Sequence, residues 1–119
     1  MKRQTRSTTL AVIDLGSNAV RLQIADAQRD GSFAVRAEDR AAVRLGAQVF
    51  RTGRLSEDSI AACAGAMQRF ANLAQRAGAR RVRAVATSAV REASNRLELL
   101  RAVRAASGIS IEVVIIETA

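Results

Sequence analysis

The sequence predicts an α/β fold in which an antiparallel β-meander is followed by two strand–helix–strand crossovers. Three observations predict it. Two apolar runs, residues 10–13 and 20–25, flank a Gly-Ser-Asn turn, which is typical of a β-hairpin. A long helical pattern of apolar residues begins after Ser56. Two more candidate strands, at residues 81–86 and 109–116, enclose a second helical pattern, and such units favour parallel pairing with right-handed crossovers.

The first part of the chain predicts strands at residues 8–14, 19–27 and 33–43. Residues 29–32, Arg-Asp-Gly-Ser, have turn composition and close a second hairpin. The third strand is more polar and alternates only in part, which indicates an exposed or edge position. Residues 44–54, with Gly46 and Gly53, are expected to form a loop.

The first long helix is expected to begin after Ser56, a suitable N-cap, with Glu57 and Asp58 facing the positive end of the helix dipole. Gly78 is expected to stop it. One apolar face is predicted from helical spacing, formed by Ile60, Cys63, Ala64, Met67, Phe70, Ala71 and Ala74. Cys63 lies on this face, so we expect a packed core thiol.

The last part predicts a strand at residues 81–86, a short helix at 89–93 and a longer helix ending at Gly108. Asn95, with Glu98 three positions on, resembles a capping box. Residues 109–116 are almost all apolar, which is typical of a central strand. The resulting order, β-β-β-α-β-α-β, is that of a ribonuclease H-like half-domain of the actin, sugar kinase and Hsp70-type ATPase superfamily, with a mixed five-stranded sheet.

The length of 119 residues suits one domain. We interpret residues 1–7 as a flexible basic N-terminal tail and residues 8–119 as a single half-domain. No apolar run approaches the roughly 20 residues that a membrane span needs, so no membrane partner is expected. The single cysteine excludes an internal disulfide and fits a cytoplasmic location, and the absence of histidine argues against zinc.

The net charge of +8 suggests attraction to polyanions. All but one of the 19 basic residues are arginine in an alanine-rich chain, a pairing that genomic coding bias explains without function. The aromatic residues are Phe33, Phe50 and Phe70, too few for the base-stacking surfaces of single-strand nucleic-acid binders. A nucleic-acid partner is therefore not favoured.

The turn between the first two strands carries the first candidate site. Asp14 stands where the first strand is expected to end, and Gly16, Ser17 and Asn18 follow it. Successive N–H groups of such a turn can hold an anion, with Ser17 and Asn18 adding side-chain donors. Asp14 could hold a hydrated Mg²⁺ or orient a water. The alternative is an ordinary hairpin turn.

A second group of candidates follows the fourth strand. Because ligands collect at the carboxyl ends of parallel strands, Ser88 and Arg91 are expected to share one edge of the sheet with Asp14. The planar guanidinium of Arg91 suits bidentate phosphate binding. Thr87 and Ser88 could donate to phosphate or could cap a helix. The alternative for Arg91 is a residue on the helix surface, and Glu92 is interpreted as structural.

Four stretches together carry a family resemblance, from about residue 11 to 114. They are Asp-Leu-Gly-Ser-Asn at 14–18, Val-Arg-Leu-Gly at 43–46, Gly-Arg-Leu-Ser-Glu at 53–57, and Ala-Val-Ala-Thr-Ser-Ala-Val-Arg-Glu-Ala at 84–93 with Asn95. In this order they resemble the exopolyphosphatase/guanosine pentaphosphate phosphatase family. The resemblance implies the same fold, Mg²⁺ as cofactor, and release of terminal phosphate from polyphosphate or guanosine pentaphosphate. It also implies that Arg91 binds and polarises the phosphoryl group.

The family also has parts that this chain lacks. Its water-activating glutamate would fall on Thr118 or Ala119 or beyond, and Glu117, the one carboxylate nearby, is a candidate only. A second phosphate loop and a second lobe are absent, so the chain is expected to be the first lobe of a longer enzyme and inactive alone. An exposed apolar edge on the last strand would favour a homodimer. Two alternatives remain open, a non-catalytic phosphate- or nucleotide-sensing module and a basic nucleic-acid-binding domain.

Overall fold

The computed structural model describes residues 8–114. The predicted N-terminal tail at residues 1–7, the last part of the predicted fifth strand and the candidate Glu117 lie outside the described residues. The strands are β1 (Thr8–Leu15), β2 (Val20–Ala27), β3 (Phe33–Ala41), β4 (Arg81–Ala86) and β5 (Ile111–Val113). The helices are α1 (Leu45–Thr52), α2 (Glu57–Arg76), α3 (Ser88–Glu92) and α4 (Arg96–Ser107).

The strands form one mixed sheet in the order β3-β2-β1-β4-β5. The first three are antiparallel neighbours, and β4 runs parallel to both β1 and β5. This is the predicted meander followed by two crossovers. The more polar β3 lies at an edge, as its weak alternation predicted.

The helices α2 and α4 pack on each other and cover one face of the sheet. Alternation along β1 and β2 sends the apolar side chains to this face, where Ile13, Val20 and Leu22 are fully buried. Other side chains of these strands are exposed on the opposite face, among them Val12 at 47%. Within residues 8–114 no helix has the length and hydropathy that a membrane span requires.

The long helix α2 forms as predicted. The hydroxyl of Ser56 accepts a hydrogen bond from the Ser59 N–H at 3.1 Å, which confirms the N-cap. Gly78 follows the helix with a φ of 77°, a conformation that glycine adopts without strain. Cys63 is fully buried, and burial raises the pKa of its thiol to about 12, so the thiol stays protonated as a core group.

The helix α1 replaces the loop that was predicted at residues 44–54. Leu45 and Val49 lie four positions apart and both are buried, so the segment has its own apolar stripe. Gly53 closes it in the left-handed conformation, with its N–H donating to the Val49 carbonyl. The two glycines at Gly46 and Gly53 suggested a loop because an eight-residue segment offers too few turns for the helical period to show.

The strand β5 was predicted to be central, and this was wrong. In the described part of the sheet it lies at the edge and pairs only with β4. The two edge strands of the sheet, among residues 8–114, are therefore β3 and β5. The guanidinium of Arg83 on β4 donates to both carboxylate oxygens of Glu112 on β5, at 3.0 and 2.7 Å, on the face away from the helices.

The predicted capping role of Asn95 was also wrong. Its side chain makes no capping hydrogen bond to α4. Instead Asn95 is buried, and its amide accepts from the Leu55 N–H at 2.8 Å and donates to the Leu55 carbonyl at 3.0 Å. This pair joins the α1–α2 connection to the α3–α4 connection, across a sequence distance that no local pattern encodes.

Substituting Asn95 by alanine is expected to lower the free energy of unfolding by about 2–4 kcal/mol, because it leaves the N–H and C=O of Leu55 buried without partners. Urea denaturation followed by circular dichroism measures the change. The neighbouring Ser94, whose side chain is exposed, gives the control, since S94A is expected to stay within about 0.5 kcal/mol of the wild type. Equal stabilities for the two variants would show that the Asn95 pair does not hold these connections together.

Candidate functional site

The connection between β1 and β2 is a tight loop at the carboxyl end of the central strand. Leu15 pairs with Val20, and within the loop the Gly16 N–H donates to the Ala19 carbonyl at 3.0 Å. A Cβ added to Gly16 would lie 3.2 Å from that carbonyl oxygen, which is tighter than an ordinary contact. Glycine therefore serves the close approach of the two strand ends, and its φ is not in the left-handed region.

The loop presents donors that the protein does not use. Among the described residues, the backbone N–H groups of Ser17 and Asn18 donate to no protein acceptor. Their side chains likewise make no hydrogen bond to any residue from 8 to 114, and Asn18 is exposed. Adjacent free N–H groups and polar side chains in one turn form a concavity that favours an anion. The loop thus has the donor set that the sequence predicted for phosphate binding.

The start of α1 is fixed directly against this loop. The Gly46 N–H donates to the Ser17 carbonyl at 2.9 Å. A Cβ on Gly46 would lie 2.8 Å from the Ser17 Cβ, so only glycine permits this approach. Sequence reasoning missed the contact because it placed Gly46 in a loop. The spacing of the two segments along the chain gives no signal for it.

Asp14 is the second-to-last residue of β1, because the strand ends at Leu15, one position later than the sequence suggested. Alternation along β1 places its exposed side chain on the face away from α2 and α4, where it is paired across the ladder with Arg21. It forms no ion pair with any residue in the range 8–114. Asp14 and Arg21 both line a cavity of about 600 Å³ on this face.

The carboxyl ends of β1 and β4 coincide. Leu15 is in register with Ala86, so the chain leaves the sheet at Gly16 and at Thr87 along the same edge. Thr87 makes no side-chain capping bond to α3, which begins at Ser88. The alternative role of Thr87 as a helix cap is therefore not realised. Thr87 and Ser88 are both half-buried residues at this edge.

Arg91 lies on α3, and its side chain is 27% exposed. Its Nε donates to the neighbouring Glu92 carboxylate at 3.2 Å, and its carbonyl accepts from the Arg96 guanidinium at 2.8 Å. No hydrogen bond joins Arg91 to the loop at residues 16–19 in the described structure. Glu92 is therefore a local partner of Arg91, which is compatible with the interpretation of Glu92 as structural.

The helix α1 connects the two groups of candidates. It touches the loop through Gly46, and it packs against α3, which carries Arg91. A hydrogen bond of 2.8 Å from the Ser94 N–H to the Gly53 carbonyl ties the end of α1 to the segment after α3. The site is thus built from three segments, of which the sequence had indicated two.

The carboxylates at this edge determine how a Mg²⁺ ion could be held there. Residues 8–114 contain no group of three or more acidic, cysteine or histidine side chains that could enclose a metal ion. Mg²⁺ commonly keeps several waters and binds through one or two carboxylates together with substrate phosphates. Asp14 is a single exposed carboxylate two residues before a loop with free donors. It fits Mg²⁺ binding shared with substrate phosphates and waters, and it does not fit a cage made of protein ligands alone.

The fold and the candidate site together define a class of protein. A three-stranded meander followed by two parallel crossovers, with a donor-rich turn in the first hairpin, is typical of a ribonuclease H-like, actin-type lobe. The comparisons narrow this class. The model of the Ppx/GppA phosphatase family matches residues 24–118, and the chain belongs to that family.

Relatives and solved structures agree with this assignment. Exopolyphosphatase 1 of Mycobacterium tuberculosis is 32% identical over 103 residues, which are 87% of this chain and 30% of the relative. Exopolyphosphatase 2 of the same organism is 43% identical over 93 residues, which are 75% of this chain and 29% of the relative. A crystal structure of the Aquifex aeolicus family member superposes with a TM-score of 0.86 at 36% identity, over 92% of this chain and 36% of that one. The chain thus spans about a third of the length of the proteins it matches.

Proposed function

We propose that this chain supplies the first phosphate-binding lobe of an enzyme that hydrolyses phosphoanhydride bonds and releases terminal phosphate from polyphosphate or guanosine pentaphosphate. The observation that carries the proposal is the loop between β1 and β2, where the free N–H groups of Ser17 and Asn18 stand beside the end of β4. The names of the relatives support polyphosphate as the substrate class. The guanosine pentaphosphate alternative is supported by the family resemblance alone.

The charges around the loop suit such a substrate. Phosphoryl transfer places negative charge on the reacting oxygens, and catalysis then depends on positioning and on electrostatic stabilisation. The loop would hold the phosphate oxygens with backbone and side-chain donors, and Gly16 would allow the phosphate to approach the backbone closely. Thr87 and Ser88 would add hydroxyl donors from the end of β4. Arg91 would then turn its guanidinium from Glu92 to the phosphoryl group. A partner carboxylate for the attacking water would come from outside residues 8–114.

Asp14 is the residue that would hold Mg²⁺, together with phosphate oxygens of the substrate. Mg²⁺ would neutralise part of the substrate charge. The role of the chain itself is to orient the phosphate group, with Asp14 on one side of Gly16 and the donors of Ser17 and Asn18 on the other. The second lobe of the enzyme is a proposed partner, because half of a cleft leaves the phosphate open to water.

The test is a chimera in which this chain replaces the matching first part of M. tuberculosis exopolyphosphatase 1. We expect the chimera to release phosphate from long-chain polyphosphate with Mg²⁺, and the 119-residue chain alone to release none, because groups that act as a unit fail together. Phosphate release is measured on protein freed of contaminating phosphatases, with guanosine pentaphosphate as a second substrate.

A chimera that folds, by circular dichroism, but is inactive while the parent relative is active would contradict the proposal. It would favour the non-catalytic phosphate-sensing module instead. If the chimera does not fold, tripolyphosphate binding to the 119-residue chain tests the loop instead. S17A and N18A should each weaken this binding if the loop holds phosphate. Titration at several salt concentrations separates this site from general attraction of polyanions to the +8 chain, because nonspecific attraction weakens more steeply with salt than binding that also uses directed hydrogen bonds.

A further inference from the structure

Two glycines lie inside helices of this chain, and their surroundings differ. Gly46 is the second residue of α1 and Gly65 lies within α2, and neither has a positive φ, so alanine would fit either backbone. Alanine is also the better helix former. In the described part of the chain, a Cβ on Gly65 would meet nothing within 4 Å beyond its own helix, whereas one on Gly46 would lie 2.8 Å from the Ser17 Cβ. Glycine at position 46 therefore serves the contact with the loop and not the helix.

This contact fixes the direction of one peptide group in the loop. The Gly46 N–H donates to the Ser17 carbonyl at 2.9 Å. The Ser17 C=O and the Asn18 N–H belong to the same planar trans peptide, so they point in opposite directions. Because the carbonyl is held on α1, the Asn18 N–H points away from α1, and it has no acceptor among residues 8–114. One of the two free backbone donors of the loop thus owes its direction to Gly46.

The helix α1 is anchored more firmly than the tip of the loop. Leu45 and Val49 are buried, α1 packs against α3, and the Gly53 carbonyl at its end accepts a hydrogen bond from the segment after α3. In contrast, Ser17 is half-buried and Asn18 is exposed. A Cβ added at position 46 is therefore expected to displace the loop tip and to leave α1 in place.

We propose that Gly46 is a positioning residue for phosphate binding, which seats the Ser17–Asn18 peptide on α1 and so directs the Asn18 N–H at a phosphate oxygen. The inference rests on the proposed function, because the loop has to hold phosphate. It deepens that function by giving α1, which the sequence did not predict, a role in shaping the loop. A substitution that favours the helix would then weaken the binding of phosphate.

The experiment measures inorganic tripolyphosphate binding to the 119-residue chain by isothermal titration calorimetry. G46A is expected to weaken binding at least about tenfold, the effect of losing one hydrogen bond to a charged group. G65A makes the same exchange in a helix where the Cβ has room, so it should leave the affinity unchanged. Circular dichroism shows that each variant is folded.

The S17G background shows whether the loss arises at this contact. S17G removes the Cβ that the new methyl group would meet, and the next neighbour, the Phe50 ring at 3.0 Å, belongs to an exposed side chain that can rotate away. Adding G46A to S17G is therefore expected to weaken binding by less than about twofold. An equal loss in both backgrounds would overturn the positioning role, because the loss would then not depend on the Ser17 side chain.

A measurement on the wild-type chain tests the inference if G46A does not fold. In ¹H–¹⁵N spectra, saturation with tripolyphosphate should move the Asn18 amide proton downfield, since this N–H then donates to a charged oxygen. The Gly46 amide should change little, because its acceptor stays the Ser17 carbonyl. An Asn18 amide that does not respond, while tripolyphosphate binds, would overturn the proposed direction of this donor.

The inference and the proposed function fail in different ways. Wild-type affinity in G46A, with S17A and N18A both weakened, would overturn the positioning role and keep the phosphate loop. S17A and N18A without effect would overturn the loop as a phosphate site, and the role of Gly46 with it. Absence of tripolyphosphate binding by the folded wild-type chain would overturn both.

Discussion

Replacing Asp14 by asparagine in the chimera is expected to lower kcat/KM for polyphosphate by at least about a hundredfold, the scale seen when one site group is removed. Asparagine keeps the shape and removes the charge. If Asp14 holds Mg²⁺ or orients a water, the loss falls on the reacting centre and not on the fold. The measurement is phosphate release under saturating and limiting polyphosphate, which separates kcat from KM.

The structure makes this substitution a clean one. Asp14 is exposed and forms no ion pair within residues 8–114, so D14N is expected to change the free energy of unfolding by less than about 0.5 kcal/mol. Asp30 supplies the control. It lies in the turn between β2 and β3, where its side chain accepts from the Ser32 N–H, and asparagine suits that position equally well. D30N should leave kcat/KM unchanged. Wild-type activity in D14N would show that Asp14 does not hold Mg²⁺ or orient a water.

Local patterns were sufficient for most of the fold. The apolar runs of β1 and β2, the polar β3 and the capped α2 each carry their signal within a few residues, and the strand–helix–strand pattern predicts that β4 and β5 run parallel. The sheet position of β5 was not predictable in the same way. Apolar residues indicate that a strand is buried, but they do not indicate its position in the sheet. Among residues 8–114, β5 is an edge strand of three residues, and α4 covers one of its faces. Composition therefore does not determine order in a sheet.

Structural features of the candidate site that lie within one segment were predicted, and features that join two segments were missed. The donors of Ser17 and Asn18 follow from the turn itself. The approach of Gly46 to Ser17 and the pair of Asn95 with Leu55 each join residues distant in sequence, and only the folded chain shows them. The pocket that Ser17, Asn18 and Phe50 line was also not predictable. It forms because the eight-residue helix α1 brings the Phe50 side chain beside the loop.

Arg91→Lys in the chimera gives the second large expected effect, a loss of about a hundredfold in kcat for phosphate release, with binding less affected. Lysine keeps the positive charge but not the planar pair of donors that grips two phosphate oxygens. The loss should be similar in R91A, if the fork matters more than the charge. R101K, on the outer side of α4, provides the control and should have no effect.

The carboxylate of Glu92 affects how the result of R91K is interpreted. In the structure Arg91 donates to Glu92 at 3.2 Å, so to bind phosphate the guanidinium would have to exchange this pair for the substrate. An exposed pair of this kind contributes at most about 1 kcal/mol, so it does not hold Arg91 against a multiply charged phosphate. Equal rates for lysine and arginine would therefore mean that phosphoryl transfer needs only a diffuse positive charge on α3, and the bidentate role of Arg91 would be wrong.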